Sequence, residues 1–247
     1  MNNTIINNLF ELWRFIGTGT KSFHRRKGYE YVMSPELSWP NTIFGINGEL
    51  ADFQSMYQSI EKGKLPLSIA FSGDALLEKQ LSDHHFVPKS TVKGMYLNLS
   101  SISKPANHFS AIEKVDSEEK AVEFAAIASG SFGYKVAPAV ILPLIDMAPK
   151  IKLFIASHEG VFSNCGLLFL DSNGISGLHM IGTLPDCRGL GLGKIMTHKL
   201  LYEAFENTSR QVVLVASEAG ERIYSKMGFE VSGALNIYTT KTSGNET

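Results

Sequence analysis

Between Cys187 and Met196 the chain reads CRGLGLGKIM, with Gly189, Gly191 and Gly193 spaced by single residues and a helix-like run from Lys194 to Glu206 directly behind them. The first N–H groups of a helix have no intrahelical acceptor, and the helix dipole adds roughly half a positive charge at that end. Glycines let an anion approach those donors with no Cβ in the way, and Arg188 adds a cation beside them. The chemistry this favours is phosphate binding by backbone, although a glycine turn that merely packs a helix close to a sheet has the same local pattern. Spacing demotes two familiar phosphate loops. A Gly-Lys-Ser/Thr loop fails because Ile195, which carries no hydroxyl for magnesium, follows Gly193 and Lys194. A dinucleotide loop needs G-x-G-x-x-G, and here the order is G-x-G-x-G.

Positioning such a loop requires a strand before it and a sheet behind it. The strand-like ISGLHMIGTLP precedes it, and a short apolar strand QVVLVAS, a helix AGERIYSKMGF and a last strand EVSGALNIYTT follow it. Upstream, IKLFIASHEG and SNCGLLFLDSNG read as strands joined by tight antiparallel turns at SHEG and DSNG. Before them a helix is announced by VDSEEKAVEFAAIA, where Asp116 or Ser117 can cap and Glu118 and Glu119 complement the dipole. This order predicts an α/β fold of the α+β type. Its central sheet is mixed and mostly antiparallel, flanked by helices, with one parallel pair linked through Gly193 to Asn207. On the glycine helix Leu192, Ile195, Met196, Leu200 and Ala204 share a face on which Lys199 and Glu203 intrude.

The Pro- and Ser-rich LSSISKPANHFS marks a boundary, giving a smaller N-terminal α/β domain over residues 1–104 and a second domain over 105–247. LEKQLSDHHFVPKSTVKGMYLNL in the first half has the order of GERIYSKMGFEVSGALNIYTT in the second, a hint of duplication.

The 247 residues are 44% hydrophobic and 19% charged, enough for a sizeable core. A formal net charge of -1, from 23 basic against 24 acidic residues, gives no field favouring nucleic acid or a membrane surface. The two cysteines, Cys165 and Cys187, are not in any paired spacing, so a reducing, cytoplasmic setting is expected. MNNTIINNLF lacks the basic start and long apolar run of a secretory signal. Val136 to Pro149 is apolar but too short for a membrane span, and its three prolines suit a buried or cleft-lining segment. FHRRKG reads as a solvated basic loop and SWPNTIF as a core corner. His84 and His85 have no ligand partners at metal spacing, so no metal is expected.

IGTLPDCRGLGLGKIM resembles the acetyl-CoA signature of the GNAT acetyltransferase superfamily, Arg/Gln-x-x-Gly-x-Gly/Ala at a helix start after the fourth strand, through Arg188, Gly191 and Gly193. ERIYSKMGFE resembles the family's second hallmark, a Tyr four residues before Gly-Phe, through Tyr224, Gly228 and Phe229. The resemblance covers residues 107–240. It implies an acetyl-CoA-dependent N-acetyltransferase that moves an acetyl group directly to an amine in a ternary complex. Backbone from Arg188 to Lys194, including Gly189, Gly191, Leu192 and Gly193, holds the CoA pyrophosphate on this reading. Ile181 and Thr183 pair with the pantetheine arm, and the sheet splits between the strands of Ile181 and Leu214.

Tyr224 is then the general acid, because a phenol near pKa ~10 protonating a thiolate near ~8.5 works against only about 2 kcal/mol. The family's carboxylate base has Gly177 in its place, and His179, two residues on and hence on the same strand face, is the candidate base. Ser217 stands where Asn is usual and can still cap the next helix, and Gly220 stands where Ala is frequent. The first half has Leu81 where Tyr224 would stand and no matching glycine motif, so it is expected to be noncatalytic. A catalytically silent CoA-binding module, and an acyltransferase for longer chains lined by Val136 to Met147, are the alternatives. The acceptor amine and the oligomeric state stay open.

Overall fold

The computed structural model describes residues 2–241. The first half runs α1 (Asn2–Gly19), β1 (Phe23–Arg26), β2 (Tyr29–Met33), β3 (Asn41–Phe44), α2 (Phe53–Glu61), β4 (Ile69–Ser72), α3 (Ala75–Asp83) and β5 (Phe86–Asn98). The second runs β6 (Ile112–Lys114), α4 (Glu118–Phe132), α5 (Pro138–Ile141), β7 (Ile151–His158), β8 (Val161–Leu170), β9 (Ser176–Thr183), α6 (Leu192–Glu206), β10 (Gln211–Ala216), α7 (Glu218–Ser225) and β11 (Glu230–Thr240).

Local chemistry accounts for these boundaries. Ser117 Oγ caps α4 by accepting from Lys120 N at 3.3 Å, and Ser217 Oγ caps α7 by accepting from Gly220 N at 3.3 Å. The β7–β8 hairpin turns on Glu159 and Gly160 at φ 52° and 81°, which explains the Glu-Gly pair there. Asp171 Oδ1 accepts from the N–H groups of Asn173 and Ile175 at 2.8 and 2.9 Å, fixing the turn into β9. In the Val136 to Pro149 segment, Val136, Ala137, Val140, Ile141 and Leu144 are buried against α4. No helix among the described residues is long and apolar enough to cross a membrane.

The strands form one sheet in the order β1-β2-β3-β4-β11-β5-β10-β9-β8-β7-β6. Most neighbours are antiparallel, and the parallel pairs are β3–β4 and β9–β10. Set side by side, α1-β1-β2-β3-α2-β4-α3-β5 and α4-β7-β8-β9-α6-β10-α7-β11 have the same order once α5 is set aside. The final strands are exchanged between the two series. β5 pairs with β10, β11 pairs with β4, and β5 and β11 pair with each other at the centre.

Alternation along the strands assigns the two faces. Leu168 packs with α6 while Leu167 and Phe169 pack with α4, and Ile43 packs with α2 and α3 while Phe44 packs with α1. Leu12 and Ile16 of α1 join the α4 cluster, so α1 and α4 share one face. α6 and α7 lie on the other, where Tyr224 packs into the α6 cluster.

α1 is an element for which the sequence reading had no place. Ile5, Ile6, Leu9, Phe10, Leu12, Trp13 and Ile16 form its buried stripe, and Asn8 is buried among them. The intrusion of Lys199 and Glu203 on α6 also has a cause. Glu203 joins Lys199 at 2.6 Å and Lys152 of β7 at 2.8 Å, and the Lys199 ammonium lies 4.9 Å from the Phe154 ring centre. Burial alone raises the Glu203 carboxyl, but its hydrogen bonds from Lys152 and Lys199 outweigh that and hold it below the usual range.

Candidate active site

α6 begins at Leu192, two residues ahead of the Lys194 start read from the sequence, with Gly191 as its cap at φ 80°. Gly189 has φ 81°, and a Cβ built at either glycine meets no atom within 4 Å. Both positions favour glycine by conformation and open onto free space. The start of α6 therefore opens onto unobstructed space, the glycine hollow, from which an anion can approach its first N–H groups. Leu190 and Ile195, each about half exposed, flank it.

Arg188 takes up a second task here. Its Nε donates to Thr183 O at 3.3 Å and its Nη2 to Ser131 O at 2.9 Å, stapling the loop to the ends of β9 and α4. Thr183 Oγ1 accepts from the buried Asn164 Nδ2 at 2.7 Å, and a Cβ at Gly193 would lie 3.8 Å from that hydroxyl. The hollow is thus braced from three elements.

β9 and β10 pair only through Ser176 with Val212 and Gly177 with Val213, and β9 then runs on to Thr183 paired with β8 alone. The sheet is open between the strands of Ile181 and Leu214, as the resemblance implies. β9 is also bulged. Cys165 pairs with Gly182 and Leu167 with His179, and Met180 takes up the extra length at φ 51°. The Cys165 thiol is sealed behind the bulge, donates to Met180 O at 3.3 Å, and is pushed up to about 12 by burial, so it is no nucleophile.

Tyr224 lies on α7 with its ring centre 5.8 Å from that of Phe229. A Cβ at Gly220 would sit 3.0 Å from the Tyr224 ring, which explains a glycine there. Among the described residues the hydroxyl takes no hydrogen bond, and burial pushes the phenol up to about 12. Without a ligand, proton transfer to a thiolate near ~8.5 is then uphill by about 5 kcal/mol, more than the ordinary phenol value suggests.

His179 does not fit the base role. It is buried, its Nε2 donates to Asn8 Oδ1 at 2.9 Å, and burial pushes it down to about 3. A ring so hard to protonate cannot take up an amine proton effectively. Asn8 Nδ2 in turn donates to Asp171 Oδ2 at 3.0 Å and to Ile175 O at 3.2 Å. The chain Asp171–Asn8–His179 clamps α1 to β9. A Cβ at Gly177 would fall 1.9 Å from Asn8 Oδ1 and 2.3 Å from His179 Nε2, so the clamp excludes any side chain, including a carboxylate. Sequence reading missed Asn8 and saw Asp171 only as a turn residue. The three lie more than 160 positions apart where Asn8 meets its partners, and no local motif links them.

In the first half, the counterpart of the glycine hollow is filled. Asp52 caps α2 by accepting from Ser55 N at 2.9 Å, placing the chain's own carboxylate at the helix start. Gln80 Nε2 donates to Gly48 O at 3.1 Å, and a Cβ at Gly28 would meet Ala51 N at 2.4 Å. Among the described residues no cluster of three or more His, Cys, Asp or Glu is placed to hold a metal ion.

Residues 132–237 match the model of the acetyltransferase (GNAT) domain. No curated protein matches the chain. Among solved structures, a GCN5-related N-acetyltransferase from Kribbella flavida superposes with a TM-score of 0.66 at 15% identity, covering 96% of both chains. A tandem GNAT protein from the clavulanic acid biosynthesis pathway, solved without acetyl-CoA, superposes at 0.61 with 10% identity over 99% of this chain and 97% of that one. A GNAT-family structure from Novosphingobium aromaticivorans reaches 0.60 at 11% identity over 94% and 97%. At such identities these likenesses establish the fold, including its two-part layout.

Proposed function

We propose, from the match of residues 132–237 to the acetyltransferase (GNAT) domain model, that the protein transfers an acetyl group from acetyl-CoA to an amine, directly and in a ternary complex. The observation that carries the proposal is the open glycine hollow beside a split sheet, with the unpartnered Tyr224 hydroxyl supplied by the helix after β10. Backbone N–H groups of Gly189, Gly191, Leu192, Gly193 and Lys194 bind the pyrophosphate, with Arg188 fixing the loop rather than meeting the anion by itself. Ile181 and Thr183 line the arm, and the bulge at Met180 turns backbone toward the acetyl carbonyl.

The thioester supplies an activated acetyl group. The amine nitrogen bonds to its carbonyl carbon as the C–S bond breaks, the amine proton leaves to solvent, and Tyr224 returns a proton to sulfur. A hydrogen bond from the Tyr224 phenol to the departing thiolate, formed only as the C–S bond breaks, narrows the gap that burial opens. Residues 1–104 form a noncatalytic half on this reading, which the filled hollow at Asp52 supports. The setting is proposed to be cytoplasmic, in keeping with two unpaired cysteines.

The absence of a fitted base at Gly177 and His179 favours one other reading, a module that binds CoA without transferring from it. Calorimetric titration with acetyl-CoA, beside Gly191→Glu, tests the common premise: binding to the parent chain, lost in the variant, is expected. Thiol release with an amine panel then separates the readings, and Tyr224→Phe should lower kcat by about 10² or more with little change in acetyl-CoA affinity. No binding to the parent chain would remove both readings.

A further inference from the structure

The cofactor hollow belongs to the face of α6 and α7, so an amine must reach the split between β9 and β10 from the face of α1 and α4. On that face the Asp171–Asn8–His179 clamp closes the stretch near Gly177. Just beyond the end of α4, Gly133, Tyr134 and Lys135 are exposed. There Phe132 and Tyr134 stack with ring centres 5.5 Å apart and planes 13° from parallel. Tyr134 is 44% exposed, and its hydroxyl donates to Met180 Sδ at 3.9 Å. The Phe132 ring edge comes within 3.1 Å of where a Cβ on Gly182 would lie. Both rings therefore stand over Met180 to Gly182, the bulge beside which transfer takes place.

The first half of the chain completes this shelf. Trp39 N donates to Lys135 O at 2.9 Å, Ala137 N donates to Ser38 Oγ at 2.6 Å, and Lys135 pairs with Glu36. Glu36 and Leu37 are held at φ 57° and 53°, conformations that side-chain-bearing residues adopt only under constraint, and Leu37 stays 62% exposed. A stacked ring pair in which Tyr134 is exposed and Phe132 is partly buried against the core, with the exposed Leu37 on a loop tied to the neighbouring Lys135, suits a flat apolar group. It does not suit a polycation, because the carboxylate at this rim, Glu36, is already paired with Lys135.

Resting on the acetyl-transfer reading, we infer that the Phe132–Tyr134 shelf binds the acceptor, and that the acceptor is a primary amine bearing an aromatic or flat apolar group close to the nitrogen. The nitrogen gains the acetyl group and loses one proton, and the products are an amide and free CoA thiol.

The full chain is assayed for thiol release with acetyl-CoA and phenylethylamine, butylamine, spermidine or glucosamine, after acetyl-CoA binding has been measured separately by calorimetry. Phenylethylamine is expected to give a kcat/KM about ten-fold or more above the other three, and Tyr134→Ala to raise its KM about ten-fold with the acetyl-CoA Kd unchanged. A preference for butylamine, spermidine or glucosamine, or a Tyr134→Ala variant with unaltered selectivity, overturns the acceptor assignment alone, whereas acetyl-CoA binding without turnover of any amine overturns the transfer reading as well. Absence of acetyl-CoA binding overturns the transfer reading together with it.

Discussion

His179 is held neutral in the fold because burial pushes it down to about 3, whereas a histidine of the unfolded chain titrates near ~6.5. Below about pH 6.5 the unfolded state therefore binds a proton that the native state refuses, and stability falls as pH drops toward about 3, by up to ~1.4 kcal/mol per pH unit. Burial and Lys194 also lower His198, which acts in the same direction, so the contribution of His179 is read as a difference. Thermal unfolding of the parent chain and His179→Gln between pH 7 and pH 4 should show a shallower loss in the variant, even if it starts less stable. Parallel losses would mean that the ring is protonated in the fold and is not sealed as described. Spacing made the glycine turn legible, because it lies within a short window governed by helix-start geometry, whereas Tyr224 came only from the resemblance to the family's second hallmark. The state of His179 was hidden, since its partner comes from a helix at the opposite end of the chain.

At the scale of elements, the clamp makes α1 part of the site's architecture and not an appendage. Asn8→Ala leaves the His179 Nε2–H and one oxygen of the buried Asp171 without their partner, a loss of about 1–3 kcal/mol. For a chain of this size that lowers the melting temperature by about 2–4 °C per kcal/mol. Calorimetry should find this loss, and hydrogen exchange should find it concentrated in α1; an unchanged melting temperature would show that the network contributes nothing. The apolar stripe from Ile5 to Ile16 has helical spacing and was legible, but MNNTIINNLF was weighed only as a targeting signal. Strands from Ile151 to Thr183 were readable because their turns carry Glu-Gly and Asp-Ser-Asn-Gly, whose chemistry is local. Lys199 and Glu203 looked like errors in the α6 stripe because their partner Lys152 sits on β7, a contact that periodicity cannot report.

Across the whole molecule, exchange of the last strands changes what a boundary near residue 104 means. The repeated order of helix, X-Phe and strand pointed to duplication, and both series of elements are present. Pairing across the series was not legible, because β5 and β11 are each compatible with their own half and only the assembled sheet decides. In the fold, β5 stands between β10 and β11, and α1 adds Leu12 and Ile16 to the core under α4. A fragment of residues 105–247 thus lacks the strand that joins its two last strands, and leaves Leu235 and Tyr238 of β11 without their covering neighbours. A fragment of residues 1–104 leaves β4 and β5 without β11 between them. Each fragment alone is expected to show no cooperative melting, their mixture to recover both melting and acetyl-CoA binding, and the intact chain to unfold in one transition. If residues 105–247 alone melted cooperatively and bound acetyl-CoA as the intact chain does, the exchanged strands would be dispensable and the halves independent domains.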